Sequence, residues 1–260
     1  MTMTDRISRI KACLNGRRTP AEHPAVPVTP GQLAAAAVGA VGAGAEAVHL
    51  HPRAADGQES LAAADVGAAV AAVRIACPGT PVGVTTGLWA AAGDAALRYQ
   101  QVAGWRQLRP EERPDFASVN LSEDGWLELL TLLAGLEIGA EAGVWSVADA
   151  IALTGTERAG GSQPGWLRIM VEILGVSAPE AAPRADEIVA QLRSGGADAP
   201  VLLHGEDESC WPLITHAGRL GLATRVGLED VLAGPDGREV TGNADLVVLG
   251  LDRWAAANLG

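Results

Sequence analysis

Short apolar runs alternate with longer segments of helical composition along most of this chain, and no other feature of the sequence constrains the fold as strongly. Each run has the length of a buried strand, and a stretch long enough for a helix follows it. Eight such units in 260 residues predict an α/β fold of the (β/α)8 TIM-barrel type. The predicted strands are Ile7–Leu14, Glu46–His51, Pro81–Thr86, Asp115–Asn120, Leu136–Ala140, Leu167–Ile173, Pro200–Leu203 and Ala223–Leu228.

A doubly wound open sheet would use the same local alternation, so it is the alternative fold. No Gly-x-Gly-x-x-Gly motif follows the first predicted strand, which weighs against the nucleotide-binding form of that fold. No linker-like change in composition interrupts the chain. We therefore expect a single TIM-barrel domain over residues 1–260.

Composition and charge argue against several classes of protein. A net charge of -12 disfavours a nucleic-acid-binding surface, which is normally basic. The apolar segment Leu33–Ala45 is too short for a membrane span. The cysteines Cys13, Cys77 and Cys210 form no Cys-x-x-Cys pair, and Met1–Arg9 lacks the apolar core of a signal peptide. We therefore expect a cytoplasmic protein that binds neither nucleic acid nor membranes.

Polar residues that suit a metal site stand at the ends of two predicted strands. Alternate side chains share a face of a strand, so His49 and His51 point the same way, as do Arg225 and Glu229. Barrel active sites are built at the carboxyl ends of the strands. Two imidazoles and one carboxylate form a suitable Zn²⁺ set with one position open for substrate or water. A His-x-His pair on a strand is also common as a purely structural feature, and that alternative stays open.

An arginine and a second carboxylate beside such a metal indicate carbonyl chemistry on an anionic substrate. Zn²⁺ can act as a Lewis acid that stabilises an enolate. Asp230 can serve as a general base, and the planar fork of Arg225 can hold a carboxylate or an oxyanion. The alternative is that Arg225 and Asp230 form a structural ion pair at the end of the strand.

Several sequence blocks, in this order, resemble the β-keto acid cleavage enzymes, a family that includes 3-keto-5-aminohexanoate cleavage enzyme. The HLHPR and RVGLED blocks are specific together and much weaker apart. The blocks that carry the resemblance are Cys13–Gly16, Pro27–Pro30, Gly44–Arg53, Thr85–Gly87, Ala117–Asn120 and Arg225–Asp230.

The resemblance implies a Zn²⁺-containing TIM barrel that condenses a β-keto acid with acetyl-CoA in a retro-Claisen sequence. The products would be acetoacetate and a new CoA ester, and the enzyme would be a homo-oligomer. By resemblance, His49, His51 and Glu229 bind the metal, and Arg225 and Asp230 are the catalytic pair. The positions that match the family's site for the keto-acid carboxylate are Thr85, Thr86, Ser118 and Asn120.

The chain also departs from the family pattern. Many members carry Gly-Gly-His where this chain has Leu222–Thr224, and His204–Glu206 is not the usual family string. Arg17, or its neighbour Arg18, aligns with the part of the site that meets the amine end of an amino-substituted substrate. A positive charge there predicts a carboxylate or a neutral polar tail instead. A solvated loop arginine is the alternative interpretation of Arg17.

Two other functions remain open at this point. A metal-dependent hydrolase or aldolase could keep His49, His51 and Glu229 and act without CoA. A divergent barrel could also bind a ligand without catalysis. A competent site of two histidines and a glutamate should bind Zn²⁺ tightly, so metal content separates the non-catalytic alternative from the other two.

Overall fold

The computed structural model describes residues 7–158 and 165–259. Within these residues, eight parallel strands form a nearly closed barrel with helices between them, so the predicted TIM barrel is confirmed. The strands are β1 (Ile10–Cys13), β2 (Ala47–Leu50), β3 (Val82–Val84), β4 (Phe116–Asn120), β5 (Gly139–Val144), β6 (Arg168–Ile173), β7 (Val201–Gly205) and β8 (Thr224–Val226). The α-helices are α1 (Pro30–Gly42), α2 (Ala63–Ala76), α3 (Ala95–Ala103), α4 (Trp126–Gly135), α5 (Val147–Arg158), α6 (Ala178–Gly195), α7 (Cys210–Leu220) and α8 (Asn243–Asn258).

Neighbouring strands pair in the order of the chain, and β8 returns to pair with β1. The seam between β7 and β8 is closed by a single parallel bridge between Leu202 and Ala223. The amide of Leu203 donates to the carbonyl of Ala223 at 2.9 Å, and the Thr224 hydroxyl donates back to the Leu203 carbonyl at 2.8 Å. The circle of strands brings the first and last strands side by side.

The sequence explains both the strands and the first helix. The strand β2 is buried at every position, as expected when a parallel strand is covered on both faces. The helix α1 begins at Pro30, which needs no amide hydrogen at the first turn. Thr29 and Gln32 cap its amino end reciprocally, and each accepts a hydrogen bond from the other's backbone amide.

The fifth strand lies later in the chain than predicted. The apolar run that begins at Leu136 does not form a strand, because it ends helix α4. The amide of Leu136 donates to carbonyls of the last helical turn, and the amide of Ile138 donates to the carbonyl of Leu133. Glu137 adopts a left-handed conformation (φ 59°) between them. The strand therefore starts at Gly139, and Glu141 lies inside it.

The eighth strand is shorter than predicted, and this changes how Glu229 is positioned. The strand ends at Val226, and residues 227–230 form a turn. A side chain at Gly227 would overlap the backbone carbonyl of Cys13, so only glycine allows the turn to pass so close to β1. The strand alternation used to relate Arg225 to Glu229 was therefore wrong, although the turn still brings both side chains together.

In the part of the chain that the structure describes, no helix combines the length and the apolar content that a membrane span requires.

Candidate metal and substrate site

Two histidines and one glutamate converge at the carboxyl ends of β2 and β8. His49 lies in β2, His51 follows it directly, and Glu229 lies in the turn after β8. One ligand atom from each lies within 4.8 Å of the others. Oε2 of Glu229 is 3.6 Å from Nε2 of His51 and 3.9 Å from Nε2 of His49. These separations suit donor atoms that share one ion, so the structure brings together the three predicted metal ligands.

The surrounding residues orient these three side chains. Glu59 contacts Nδ1 of His51, which leaves Nε2 directed toward Glu229. Nη2 of Arg225 donates to Oε1 of Glu229 at 2.9 Å. The other oxygen, Oε2, is buried and has no hydrogen-bond partner among the described residues. A buried carboxylate oxygen without a partner is costly unless a cation binds it, so the donor set fits a divalent metal ion.

The two histidines differ in their affinity for protons. Burial lowers the pKa of His49 to about 3, so its imidazole is neutral and can bind a metal at neutral pH. Burial also lowers the pKa of His51, but the carboxylates of Glu229 and Glu59 outweigh this effect and raise it to about 9. A metal ion must therefore displace a proton from His51.

Arg225 connects the metal ligands to a buried aspartate. Its Nε and Nη2 donate to Oδ1 of Asp230 at 3.0 and 2.7 Å, and it also binds Glu229. Burial lowers the pKa of the guanidinium, but the charges of Asp230 and Glu229 outweigh burial and raise it, so Arg225 stays charged. The Asp230 side chain is completely buried, and burial raises its pKa.

A cavity of about 860 Å³ opens above the metal site at the mouth of the barrel. It is lined by three of the four residues predicted to hold the substrate carboxylate, Thr85, Ser118 and Asn120. Thr86 is different: its hydroxyl donates to the backbone carbonyl of Ser118 and does not line the cavity. Thr86 therefore supports the wall formed by β3 and β4.

An ion pair at the cavity wall fixes Asn120. Nδ2 of Asn120 donates to Glu123 at 2.9 Å, and Glu123 is bound in turn by the buried guanidinium of Arg98. Gly143 on the neighbouring strand leaves room for this group, because a Cβ there would overlap Oδ1 of Asn120. The amide is thus held in place at the cavity wall. The sequence did not predict the parts of this network contributed by Glu123 and Arg98.

Two arginines stand at the cavity rim, and they differ in their partners. Arg18 binds Asp207 and Glu22. Arg17 is exposed, and its guanidinium carbon lies 5.5 Å from the ring centroid of Trp89. No carboxylate partner of Arg17 is found among the described residues. Arg17 is thus a free cation at the mouth, and Trp89 lines the cavity beneath it.

Acidic and basic groups at the ends of β6 and β7 complete the site. Glu172 and Glu206 line the cavity, and His204 is buried between Glu172 and Asp230. Nε2 of His204 lies 3.3 Å from Oε2 of Glu172, and Nδ1 lies 3.7 Å from Oδ1 of Asp230. Burial lowers the pKa of His204 to about 4, so the ring is neutral at neutral pH. The only sequence signal for this group was the position of His204 and Glu206 at a strand end.

Comparison with known proteins agrees with this geometry. The model of the beta-keto acid cleavage enzyme family matches residues 9–253. No curated protein sequence matches the chain. Among solved structures, apo ObcA is 19% identical with a TM-score of 0.65, and the match covers 87% of this chain and 61% of ObcA.

ObcA with oxaloacetate is 18% identical with a TM-score of 0.61, covering 91% of this chain and 63% of that one. ObcA with a C4-CoA adduct and oxalate is 18% identical with a TM-score of 0.60 and the same coverage. The chain spans about three-fifths of the length of ObcA. At these identities the solved structures establish the barrel fold alone. The family match covers most of the chain, and the chain belongs to the beta-keto acid cleavage enzyme family.

Proposed function

We propose that this protein cleaves a β-keto acid with acetyl-CoA, giving acetoacetate and a new acyl-CoA, with Zn²⁺ held by His49, His51 and Glu229. The observation that carries the proposal is the convergence of these three side chains beside Arg225 at the floor of the cavity. Family membership supports it independently. A metal ion bound there would supply Lewis-acid stabilisation of a developing enolate.

The residues of the chain itself have separate tasks in this reaction. Thr85, Ser118 and Asn120 line one side of the cavity and present hydroxyl and amide groups to the substrate carboxylate. Arg225 is charged and rigidly held, so it can stabilise an oxyanion at the opposite side. Asp230 does not line the cavity but holds Arg225 through its Oδ1, and the family resemblance implies that the two residues act together.

The tail of the keto acid would be anionic or neutral and polar, because Arg17 places a cation at the rim that has no carboxylate partner among the described residues. A cation there would repel an ammonium group. ObcA has been solved with oxaloacetate, a β-keto acid that carries a second carboxylate. That complex supports the proposal for the substrate class without establishing it for this chain.

The proposal is tested by a screen of β-keto acids against the zinc-loaded protein and acetyl-CoA. We expect acetoacetate and a new thioester to form together in equal amounts, which mass spectrometry of the CoA fraction can quantify. Consumption of the keto acid with no change in the CoA pool would indicate a hydrolase or aldolase instead. Zinc content below about one ion per two subunits would indicate a non-catalytic barrel. The size of the expected homo-oligomer can be measured on the same sample by light scattering.

A further inference from the structure

We propose that Glu206, at the end of β7, is the residue that moves the substrate proton, and that Asp230 is a positioning residue that acts through Arg225. This inference rests on the proposed β-keto acid cleavage and assigns its proton transfer to one side chain. It differs from the expectation that Asp230 is the general base.

Asp230 is placed to hold Arg225 and not to meet a substrate. Its side chain has no exposed surface and does not line the cavity. Both of its hydrogen bonds from Arg225 go to Oδ1, at 2.7 and 3.0 Å. Its backbone is also fixed, because its amide donates to Gly227 and its carbonyl accepts from the amide of Asp207. A general base must come within hydrogen-bond reach of the proton that it removes, and Asp230 is shielded from the cavity.

Glu206 has the opposite placement. It lines the cavity, and 38% of its side-chain surface is exposed there. The nearest cation is Nη2 of Arg225 at 3.9 Å, which is beyond hydrogen-bond distance. Among the residues that the structure describes, nothing donates a hydrogen bond to its carboxylate. Glu206 therefore faces the space where a substrate beside Arg225 would lie, and it is free to accept or donate a proton.

The other acids of the cavity are already engaged. Four of them contact an arginine that would have to be displaced before the carboxylate could take a proton: Glu22 and Asp207 contact Arg18, Glu123 contacts Arg98, and Glu229 contacts Arg225. Glu172 lies 3.3 Å from Nε2 of His204. Burial raises the pKa of Glu172, but His204 and Arg225 outweigh burial and lower it, so Glu172 is a weaker base than Glu206.

The local electrostatics suit this task. Burial raises the pKa of Glu206, and the charge of Arg225 offsets part of that rise. The carboxylates of Glu229, Glu172 and Asp207 raise it again, to about 7. The buried thiol of Cys210 is within electrostatic range of Glu206, and burial raises the pKa of that thiol, so it is neutral and adds no charge. A carboxyl group that titrates near neutral pH is effective both as a base and as an acid.

The proton balance of the reaction needs one group that acts first as a base and then as an acid. Glu206 takes a proton from C2 of the β-keto acid, and the electron pair of the C–H bond becomes the enolate. C2 then attacks the thioester carbonyl, a new C–C bond forms, and CoA leaves as the thiolate. The thiolate attacks the original keto carbon, and the bond from that carbon to C2 breaks, which gives the new acyl-CoA and the enolate of acetoacetate. Glu206 returns the proton to C2, so no net proton is lost.

The test measures proton exchange at C2 of acetoacetate in D₂O by NMR, with metal-loaded protein and no CoA. We expect the wild-type protein to catalyse exchange with a rate that rises with pH through one inflection as Glu206 ionises. Glu206→Gln should slow exchange by at least about 100-fold and remove this inflection. Glu206→Asp should keep the inflection at a reduced rate, and exposed Glu208→Gln is the matched control that should behave as wild type. Metal content should equal the wild-type value in all of these variants.

Asp230→Asn separates the two roles. If Asp230 only positions Arg225, the variant slows exchange but retains the inflection of the wild-type protein. Wild-type exchange in Glu206→Gln, or loss of the inflection in Asp230→Asn alone, would overturn the assignment while leaving the proposed reaction intact. A wild-type protein that neither exchanges these protons nor forms a thioester from any β-keto acid would overturn the proposed function, and this inference with it.

Discussion

Two of the groups of buried charges in the barrel differ in how completely their polar atoms are paired. The lower group consists of Lys11, Glu141 and Arg168. Nζ of Lys11 lies 2.6 Å from Oε2 of Glu141, and Arg168 binds the other oxygen of Glu141. Both cations also lie over the ring of Phe116, at 5.5 and 5.4 Å from its centroid. In the lower group only Nη2 of Arg168 is buried without a partner among the described atoms.

The group at the mouth consists of His49, His204, Arg225, Glu229 and Asp230. Several of its buried polar atoms have no hydrogen-bond partner among the described residues. Buried atoms without partners in the described structure are Nδ1 of His49, Oε2 of Glu229, Oδ2 of Asp230 and both ring nitrogens of His204. A protein tolerates such atoms where a ligand or a chemical step uses them. The comparison therefore separates charges that stabilise the fold from charges that serve metal binding and catalysis or hold those groups in place, and the following variants test that separation.

The largest effect is expected from removing a metal ligand at the mouth. Glu229→Ala should abolish both metal binding and turnover, because Glu229 supplies the unpaired oxygen of the cluster. The free energy of unfolding of the metal-free protein should change little, because Glu229 lies in a turn beyond β8. Elemental analysis and a thioester assay check this. Full metal content in the double variant His49→Ala, Glu229→Ala would contradict the assignment of the site.

Removing a cation from the lower group should reduce stability and leave metal binding unchanged. Lys11→Met leaves the buried Glu141 with one cation where it had two, and breaking a buried ion pair costs about 3–5 kcal/mol of stability. We expect that loss in urea unfolding, with the metal content per folded protein unchanged. If Lys11→Met instead lost metal at unchanged stability, the division between the two groups would be wrong.

Acid should weaken the lower group within a defined pH range. Burial raises the pKa of Glu141, but Lys11 and Arg168 outweigh it and lower the pKa to about 2. Because the folded-state pKa lies below the unfolded value, this stabilisation is present above about pH 4.5 and is lost as the pH falls toward 2. The loss should be about 3 kcal/mol, measured by urea unfolding between pH 6 and pH 2.5. Exposed Glu128→Gln should keep this pH dependence, whereas Glu141→Gln should remove it.

The smallest effect is expected at the rim. Arg17 is exposed, so its charge is partly screened by solvent. Arg17→Glu should therefore lower kcat/KM for a keto acid with an anionic tail by only about fivefold, which corresponds to about 1 kcal/mol. The specificity should move toward amino-substituted keto acids. Arg238→Glu, a change at another exposed arginine, is the control and should leave the preference unchanged. An unchanged preference in Arg17→Glu would make Arg17 a solvated loop residue.

The fold and the histidine pair of the metal cluster were accessible from the sequence for physical reasons, whereas Glu229 was identified by the family resemblance. Alternation of apolar runs with helical segments predicts the barrel because each strand must be covered by a helix. His49 and His51 were recognisable because their spacing is local and strand geometry fixes it. The family resemblance carried by the same blocks is confirmed by the family match. A local sequence pattern was therefore enough to predict those features whose geometry depends only on residues close together in the chain.

The rest of the site depends on distant residues and on turns. Glu59 reaches His51 through a loop, and Arg98 reaches Glu123 from another helix, so no periodicity relates them. Glu206 stood at a predicted strand end, but only the three-dimensional structure shows that its carboxylate has no hydrogen-bond partner among the described residues. The end of β8 was also misplaced, because Gly227 begins the turn while apolar residues continue to Leu228.

The close approach of Gly16 to Glu229 has a consequence for how the protein is made. A side chain at Gly16 would overlap Glu229, so the loop after β1 and the turn after β8 occupy adjoining space although they lie near opposite ends of the chain. The three proposed metal ligands therefore cannot be assembled on a growing polypeptide until its last strand has emerged and docked against the first. A metal ion that binds this set stabilises only the closed barrel. Metal loading would then be the final event of biosynthesis, and it would distinguish finished molecules from incomplete ones.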